Sequence, residues 1–226
     1  MCVIAVSRAG VKQPTSEQLR CMFDRNPDGA GYMYARDGKV YIHKGFMDYS
    51  DFLRAVRAEK FTEADPVVYH FRISTQAGVN PEMTHPFPLT KKRALCEKLD
   101  VISDFGIAHN GIIRMTSDSG EKRFSDTVIF ITDYMTRLIR KRADLTDPAV
   151  ITMIDHLTNS RWAIMDGTGN IVTVGRFKNE DDILFSNESY KPICKTTVKA
   201  PVKFSWDDYY AGYYGTLLDG YERKCK

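Results

Sequence analysis

The second residue of the chain is a cysteine, and its position offers two reactive groups. Cys2 follows Met1, which a cytosolic aminopeptidase removes when a small side chain comes next. Removal leaves a thiol and a free α-amine on one residue, so the residue could be a nucleophile that carries its own base. The competing interpretation is structural, because free cysteine is among the most buried residue types and packs like a small apolar side chain.

Polar side chains also interrupt apolar segments further along the chain. In VVYHFRIST, His70 and Arg72 alternate with apolar residues, so the two side chains point to the same face of a strand. The segments THPF, AHNGII and SDT follow, with His85, His109, Asn110, Gly111 and Asp126. Each residue alone has an ordinary structural explanation, such as a surface ion pair, a hairpin turn, a helix cap or a buried histidine. The histidines lack the compact spacing of metal ligands, so we expect no metal and no cofactor.

The predicted elements place these residues at the ends of strands and at the start of a helix. Residues 2–7 predict a buried strand, and residues 67–75 predict a strand with two distinct faces. GIAHNGII predicts a strand that ends in a turn at Asn110 and Gly111, and SDTVIFITDYMTRLIRKR predicts a helix that begins at Ser125 or Asp126.

Local signals predict further elements around this framework. Three more helices are predicted: one after the capping box of Thr15 and Gln18, one in DYSDFLRAVRAEKF, and one after Asp147 and Pro148. Two hairpins with turns at Asp37-Gly38 and Gly167–Asn170 and a late strand in DILFSNE are also predicted. The order of helices and strands lacks the regular alternation of a Rossmann fold or a barrel. It suits an α+β fold in which antiparallel sheets are covered by helices.

Composition excludes several classes of partner. The chain has 226 residues with 43% hydrophobic and 27% charged, which fits one large domain or two small ones. The net charge of +3 gives no basis for nucleic-acid binding, and no apolar segment approaches a membrane span. No signal peptide is visible, so we expect a cytoplasmic protein with reduced thiols. The five cysteines form no C-x-x-C pair that would indicate a disulfide framework or a zinc ribbon.

Taken in order, the polar segments resemble the class II glutamine amidotransferase domain of the N-terminal nucleophile hydrolases. That family begins Met-Cys and carries Arg, Asp and Gly in a turn near residue 30, matched here by RNPDGAG. A His-x-Arg-x-x-Thr strand and a His-Pro pair follow, matched by HFRIST and HPF. His-Asn-Gly-Ile-Ile and Ser/Thr-Asp-Thr come last, matched by HNGII and SDT. The ordered set covers residues 2–127, and the later strand with LFSNE also suits the family's fold.

The resemblance implies a catalytic role for three residues. Cys2 attacks the side-chain amide of glutamine, and its freed α-amine acts as general base, directly or through a water. An α-amine titrates near ~7.7–8.0 and a thiol near ~8.5, so both groups exchange protons around neutrality. The Asn110 side chain and the Gly111 backbone N–H stabilise the oxyanion of the tetrahedral intermediate.

The same resemblance implies the residues that bind and surround the substrate. Arg72 binds the α-carboxylate of glutamine, Asp126 pairs with the α-ammonium, and Thr75 adds a backbone or hydroxyl contact. The three histidines are expected to shape loops rather than to transfer protons: His70, His85 and His109.

A fold and a domain boundary also follow from the resemblance. The implied fold is a four-layer αββα sandwich, in which two stacked antiparallel sheets are flanked by helices. We expect this domain to occupy residues 2–200. Residues 201–226 form an aromatic C-terminal tail that either packs on the domain, forms a contact surface or is mobile.

Differences from the family leave the substrate open. Val3 stands where family members often have Gly, and in ISTQAG the residues Ile73 and Gln76 replace a Trp and a His of the amide-sugar synthases. The HPF segment also resembles stand-alone members that hydrolyse γ-glutamyl amides and peptides. The acceptor domain of a synthase has no counterpart in this chain. Either a separate partner receives the ammonia or the protein is a free hydrolase.

Two alternatives compete with an amidase. The altered ISTQAG loop and the missing synthase domain fit a non-catalytic or regulatory module that binds γ-glutamyl compounds. An enzyme of the Cys/His protease type is disfavoured, because Cys21, Cys96, Cys194 and Cys225 lie in no matching motif.

Overall fold

A computed structural model describes residues 2–74, 78–117 and 123–192 of the chain. The strands in these ranges are β1 (Val3–Ser7), β2 (Ala30–Arg36), β3 (Lys39–Phe46), β4 (Val67–Phe71), β5 (Phe87–Pro88), β6 (Asp100–Ser103), β7 (Phe105–Asn110), β8 (Arg161–Asp166), β9 (Ile171–Val174), β10 (Lys178–Glu180) and β11 (Ile183–Phe185). The α-helices are α1 (Ser16–Arg25), α2 (Tyr49–Glu59), α3 (Arg93–Cys96), α4 (Arg114–Ser117), α5 (Asp126–Phe130), α6 (Thr136–Leu138) and α7 (Pro148–Thr158). A π-helical segment, Ile131–Met135, joins α5 to α6.

The strands form two antiparallel sheets. One sheet has seven strands in the order β10-β11-β1-β4-β2-β3-β6, and the other has four in the order β5-β7-β8-β9. β1 therefore lies inside the larger sheet, where Val3 pairs with Phe71 of β4 and Ala5 pairs with Phe185 of β11. The predicted α+β class with antiparallel sheets and helices is confirmed at this level.

Alternation along the strands divides the apolar side chains into separate clusters. On β1, Val3 and Ala5 pack with α1 and α2, whereas Ile4 and Val6 pack with Ala108 of β7 and with residues of β8. Residues of β5, β7 and β8 on the opposite side pack with α5, the π-helical segment and α7. One cluster thus joins the two sheets, and each of the other two joins one sheet to helices.

Local signals account for most element boundaries. At the start of α1, the Thr15 hydroxyl accepts from the Gln18 N–H and the Gln18 side chain accepts from the Thr15 N–H, as the capping box predicts. Asp37 and Gly38 both have positive φ in the turn between β2 and β3. Asp147 caps α7.

The helix after Ser125 differs from its prediction. It contains the π-helical segment and ends at Leu138, rather than continuing through the basic residues that follow. Ile139 turns to an extended conformation and is buried in the core. The Asp144 carboxylate then accepts from the N–H groups of Arg140 and Lys141 at 2.7 and 3.0 Å. The burial of Ile139 and the hydrogen bonds to the Asp144 carboxylate end the helix at Leu138. The charge pattern alone predicts that it continues through the basic residues.

Short strands were not predicted at all, because their residues lack strong alternation. β5, β6 and β10 have two, four and three residues. The predicted boundary at residue 200, the tail 201–226 and the cysteines Cys194 and Cys225 lie outside the described residues.

Candidate active site

The larger sheet places Cys2 directly before the first residue of β1. The register that pairs Val3 with Phe71 brings the half-buried Cys2 beside the chain that leaves β4. The Ile73 N–H donates to Cys2 Sγ at 3.4 Å, and the thiol donates to the Ile73 carbonyl at 3.5 Å. On the other side, Asn187 Nδ2 donates to the Cys2 carbonyl at 2.7 Å. Contacts on both sides therefore hold the residue in place.

The thiol of Cys2 needs a base at neutral pH. Burial raises its pKa, while the Ile73 N–H and the Arg72 guanidinium act in the opposite direction. Because burial is the largest of these effects, the thiol is protonated at neutral pH. A nucleophile at this position has to lose its proton to a neighbouring group.

Six of the predicted site residues line one small pocket next to the thiol. The pocket has a volume of about 30 Å³. It is lined by Cys2, Arg72, Ile73, His85, His109, Gly111, Ser125, Asp126 and Thr127. Five segments contribute: the start of β1, the end of β4, the residue His85 before β5, the end of β7 with its following turn, and the start of α5.

Arg72 is held by its backbone where β4 ends. Its N–H donates to the Gly29 carbonyl at 2.8 Å, and its carbonyl accepts from the Asp28 N–H at 3.0 Å. The guanidinium Nη2 donates to the Ser74 hydroxyl at 3.1 Å, and Asp28 in turn accepts from the Ser74 N–H at 2.7 Å. The turn in RNPDGAG thus positions Arg72. Asp28 has a structural role in this arrangement, because it binds the Ser74 N–H.

The charge of Arg72 is only 4% exposed. Burial lowers its pKa, and the nearby Cys2, Asp28 and Asp126 side chains raise it. The guanidinium remains charged, because arginine keeps its proton in proteins. The pocket therefore contains a buried cation beside the thiol.

Asp126 provides a carboxylate to the same pocket at the first residue of α5. Oδ2 accepts from the Ile113 N–H and Oδ1 accepts from the Thr127 N–H, both at 2.7 Å. Burial raises the pKa of the carboxyl group, and these hydrogen bonds together with Arg72 lower it. The two backbone donors fix the orientation of the carboxylate and leave lone pairs for a ligand.

Asn110 and Gly111 lie where β7 ends. Gly111 lines the pocket, and a Cβ at this position would lie 2.2 Å from the Ser160 hydroxyl oxygen, so only glycine fits. Asn110 is fully buried behind it, and its Nδ2 donates to the Ser186 hydroxyl at 2.8 Å. Its Oδ1 has no hydrogen-bond partner among the described residues.

The three histidines lie together and are uncharged. The rings of His70 and His85 are 4.2 Å apart, and those of His85 and His109 are 6.3 Å apart. Burial lowers the pKa of His70 and of His109 to about 3, and lowers that of His85 well below its usual range. None of them is charged at neutral pH.

A hydrogen bond fixes the tautomer of His70. Its Nε2 donates to the His109 carbonyl at 2.9 Å, which connects β4 of one sheet to β7 of the other. His109 Nδ1 lies 2.8 Å from the Thr127 hydroxyl and shares a hydrogen bond with it. His109 Nε2 has no hydrogen-bond partner in the described residues.

Most of the sequence-based site is brought together, with two differences and one residue that is not described. His70 and Asn110 lie directly behind the pocket rather than in its lining, and Thr75 lies outside the described residues. Sequence analysis missed Ser186 and Asn187, which contact the site from the segment after β11. Both residues belong to the segment LFSNE. Polar residues directly after a buried strand were the sequence feature that could have indicated them.

In the described ranges, no group of three or more His, Cys, Asp or Glu side chains is arranged to hold a metal ion. No helix in the described part is long and apolar enough to cross a membrane. Comparison with models of known protein families gives no match, and comparison with curated proteins gives none either.

Proposed function

We propose that the protein hydrolyses the side-chain amide of glutamine, or of a related γ-glutamyl amide, through a thioester on Cys2. One observation carries this proposal: Cys2, Arg72 and Asp126 line the same small pocket. A thiol beside a buried cation and a buried carboxylate matches a substrate that has a reactive amide at one end and an amino-acid zwitterion at the other.

The charged pair provides the binding contacts in this proposal. Arg72 is suited to the α-carboxylate, because its planar guanidinium donates two parallel hydrogen bonds to a carboxylate. Asp126 is suited to the α-ammonium, since its orientation is already fixed by the Ile113 and Thr127 N–H groups. Both charges are buried, so water competes weakly with the substrate.

The first half of the reaction forms the thioester. When Met1 has been removed, the α-amine of Cys2 takes the thiol proton as Sγ attacks the amide carbon. The tetrahedral intermediate collapses as the carbon–nitrogen bond breaks, and the α-ammonium returns the proton to the leaving nitrogen. Ammonia, or an amine from a γ-glutamyl amide, departs. The histidines are weak bases, because burial lowers their pKa values and makes a proton on these rings unfavourable, so the α-amine carries the proton in this mechanism.

The second half releases the acid. The α-amine takes a proton from a water molecule that attacks the thioester carbon, and the carbon–sulfur bond then breaks. The proton returns to the sulfur, and glutamate leaves. In both halves the negative charge on the oxygen is stabilised by the Gly111 N–H and the Asn110 side chain.

The packing of the two sheets supports the finer fold that the resemblance implies. We propose a four-layer αββα sandwich of the N-terminal nucleophile hydrolase type. The three apolar clusters are consistent with it, because one joins the sheets and the other two join a sheet to helices.

A second candidate is a binding module without turnover. One observation favours it: the Asn110 N–H group donates to Ser186, so it is not available to an oxyanion in this orientation. In this alternative the fold binds γ-glutamyl compounds without cleaving them.

Glutamate release from glutamine by the purified, processed protein tests the proposal. Intact-mass measurement first establishes that Met1 is absent. We expect Cys2→Ala to lower the rate by about 10⁴-fold or more. Cys21→Ala is the matched control, since Cys21 is a half-buried thiol on α1 outside the pocket, and its activity should stay within about twofold of wild type.

Labelling distinguishes the enzyme from the binding module. A diazoketone analogue of glutamine should modify Cys2 alone, and added glutamine should protect it. Activity that survives Cys2→Ala, or activity in protein that retains Met1, would overturn the mechanism. Tight binding of glutamine without turnover or labelling would favour the module. Profiling over γ-glutamyl amides and peptides then identifies the substrate, and ammonia capture by a separate protein identifies an acceptor.

A further inference from the structure

The Asn110 amide is fully buried, yet only one of its two ends has a partner. Nδ2 donates to the Ser186 hydroxyl at 2.8 Å, whereas Oδ1 has no partner among the described residues. A buried amide oxygen without a hydrogen-bond donor lowers the free energy of unfolding by about 1–3 kcal/mol. Such an atom in a native site calls for an explanation.

The hydroxyl of Ser186 is also incompletely used. Its oxygen accepts from the Ile4 N–H at 2.9 Å and from Asn110 Nδ2, so its own hydrogen serves neither bond. The Ser186 N–H donates to the Ile4 carbonyl at 2.9 Å, which fixes the serine backbone on β1 two residues after Cys2. Within the described ranges, a hydroxyl hydrogen without an acceptor therefore lies beside an amide oxygen without a donor.

A half-turn of the amide about its Cβ–Cγ bond pairs this donor with this acceptor in the same space. The Ile4 N–H then donates to Ser186 Oγ, and the Ser186 hydroxyl donates to Asn110 Oδ1. Nδ2 takes the position that Oδ1 holds now, and its N–H groups are left for a ligand. Asn110 directly precedes Gly111 of the pocket lining. Successive hydrogen bonds of this kind strengthen one another in a buried environment.

We propose that Ser186 is a positioning residue that orients the Asn110 amide, so that its N–H groups face the oxyanion. This inference rests on the proposed function, because it assigns a partner to the amide of that same site. An oxyanion needs donors oriented before the reaction begins, and a carbonyl oxygen in that position would repel it. Ser186 acts through Asn110 and does not touch the substrate.

The orientation of the amide is tested without any activity. Neutron diffraction from deuterated protein distinguishes the nitrogen of Asn110 from its oxygen, because the nitrogen carries two deuterons. Deuterons on the Asn110 atom that faces away from Ser186, together with one between Ser186 Oγ and Asn110, support the proposal. Deuterons on the Asn110 atom that faces Ser186 overturn it.

Kinetics test the consequence for turnover. We expect Ser186→Ala to lower kcat for glutamine by about 10- to 100-fold with KM within threefold, because the loss affects the intermediate rather than the substrate. Ser186→Thr keeps the hydroxyl and should restore most of kcat. Ser7→Ala is the matched control, since Ser7 is a fully buried serine at the far end of β1 whose hydroxyl donates to the Lys12 carbonyl.

The outcomes separate this inference from the proposed function. Ser186→Ala with wild-type kcat overturns the positioning role, and so does a loss that Ser7→Ala reproduces. A wild-type protein that hydrolyses neither glutamine nor γ-glutamyl anilides overturns the proposed function. In that case the deuterium positions still decide how Ser186 orients the amide.

Discussion

Two buried polar sites in this molecule differ in how completely their polar atoms are paired. The first surrounds Lys44 of β3, which is only 3% exposed. Its Nζ donates to the carbonyls of Glu82 and Cys96 at 2.6 and 2.5 Å and lies 4.0 Å from the centre of the Phe87 ring. Every contact of this ammonium group is made within the chain.

The second site is the pocket beside Cys2, where several buried atoms have no partner among the described residues. These are Asn110 Oδ1, His109 Nε2 and both ring nitrogens of His85. Because unpaired polar atoms cost stability, their concentration at one pocket indicates a place kept for a ligand. If the proposed function holds, the paired site serves the fold and the unpaired site serves binding and chemistry. Four substitutions test this division.

The largest effect is expected at the unpaired amide. Asn110→Ala removes an oxyanion donor and should lower kcat by about 10²–10³-fold, with little change in KM. The variant also loses the buried hydrogen bond between Asn110 and Ser186, so its unfolding temperature should fall by only a few degrees. Steady-state kinetics and thermal unfolding measure the two quantities. A kcat within threefold of wild type, or a protein that no longer folds, would contradict the division.

The cation of the pocket should affect binding. Arg72→Lys keeps the charge but loses the second parallel hydrogen bond, so KM for glutamine should rise by about 10- to 100-fold. The value of kcat should change by less than about threefold. Arg20→Lys is a suitable control, since this arginine is exposed on α1 in a pair with Asp24. Equal KM values for Arg72→Lys and Arg20→Lys would show that Arg72 does not bind the substrate.

The paired site should affect stability in a manner that depends on pH. Burial lowers the pKa of Lys44 to about 7, below its usual value of 10.5. Between these two values the unfolded chain holds a proton that the folded chain lacks, so this group's contribution to stability rises as pH increases from about 7 to 10.5. Lys44→Met abolishes that contribution.

The measurement is the free energy of unfolding by urea at several pH values. The wild-type value minus the Lys44→Met value should grow across this pH window, while kcat per folded molecule stays within about threefold. A constant difference would show that Lys44 does not titrate there. A pH-dependent loss of kcat would instead connect Lys44 with the pocket.

The smallest effect is expected at His85. Burial, together with the neighbouring His70, His109, Arg72 and Lys44, lowers its pKa, so the ring is neutral throughout the working range. His85→Leu has a similar volume and loses no hydrogen bond. We expect an unchanged shape of the pH–rate profile and an unfolding free energy within about 1 kcal/mol of wild type. A shift in the acidic limb of the pH–rate profile of His85→Leu would show that His85 donates a proton in the reaction.

Sequence analysis predicted the parts of the fold and of this site that depend on local signals. The capping box at Thr15, the alternation around His70 and the turn after Asn110 each follow from a few neighbouring residues. The contact of Asn187 with Cys2 joins residues that are far apart in the chain, and only the strand register brings them together. The same applies to Ser186, whose partners on β1 and β7 cannot be inferred from its neighbours.

The π-helical segment shows a second limit. The Thr136 hydroxyl donates to the Thr132 carbonyl at 3.0 Å, and the Thr132 hydroxyl donates to the Asp133 carboxylate at 2.7 Å; side-chain bonds of this kind compete with the regular helical pattern. Whether such residues keep an α-helix depends on the packing of the whole face, because Ile131 and Met135 are buried in the core. Periodicity alone predicts a helix there, but not its type or its end.

The position of β1 also has a consequence for synthesis. One of its two neighbours, β11, emerges from the ribosome about 180 residues later, which takes roughly 10–40 s at common elongation rates. Until then the larger sheet is incomplete on one side of β1. The strand that precedes the rest of the domain in the chain is therefore enclosed by its second neighbour only near the end of synthesis of the described residues.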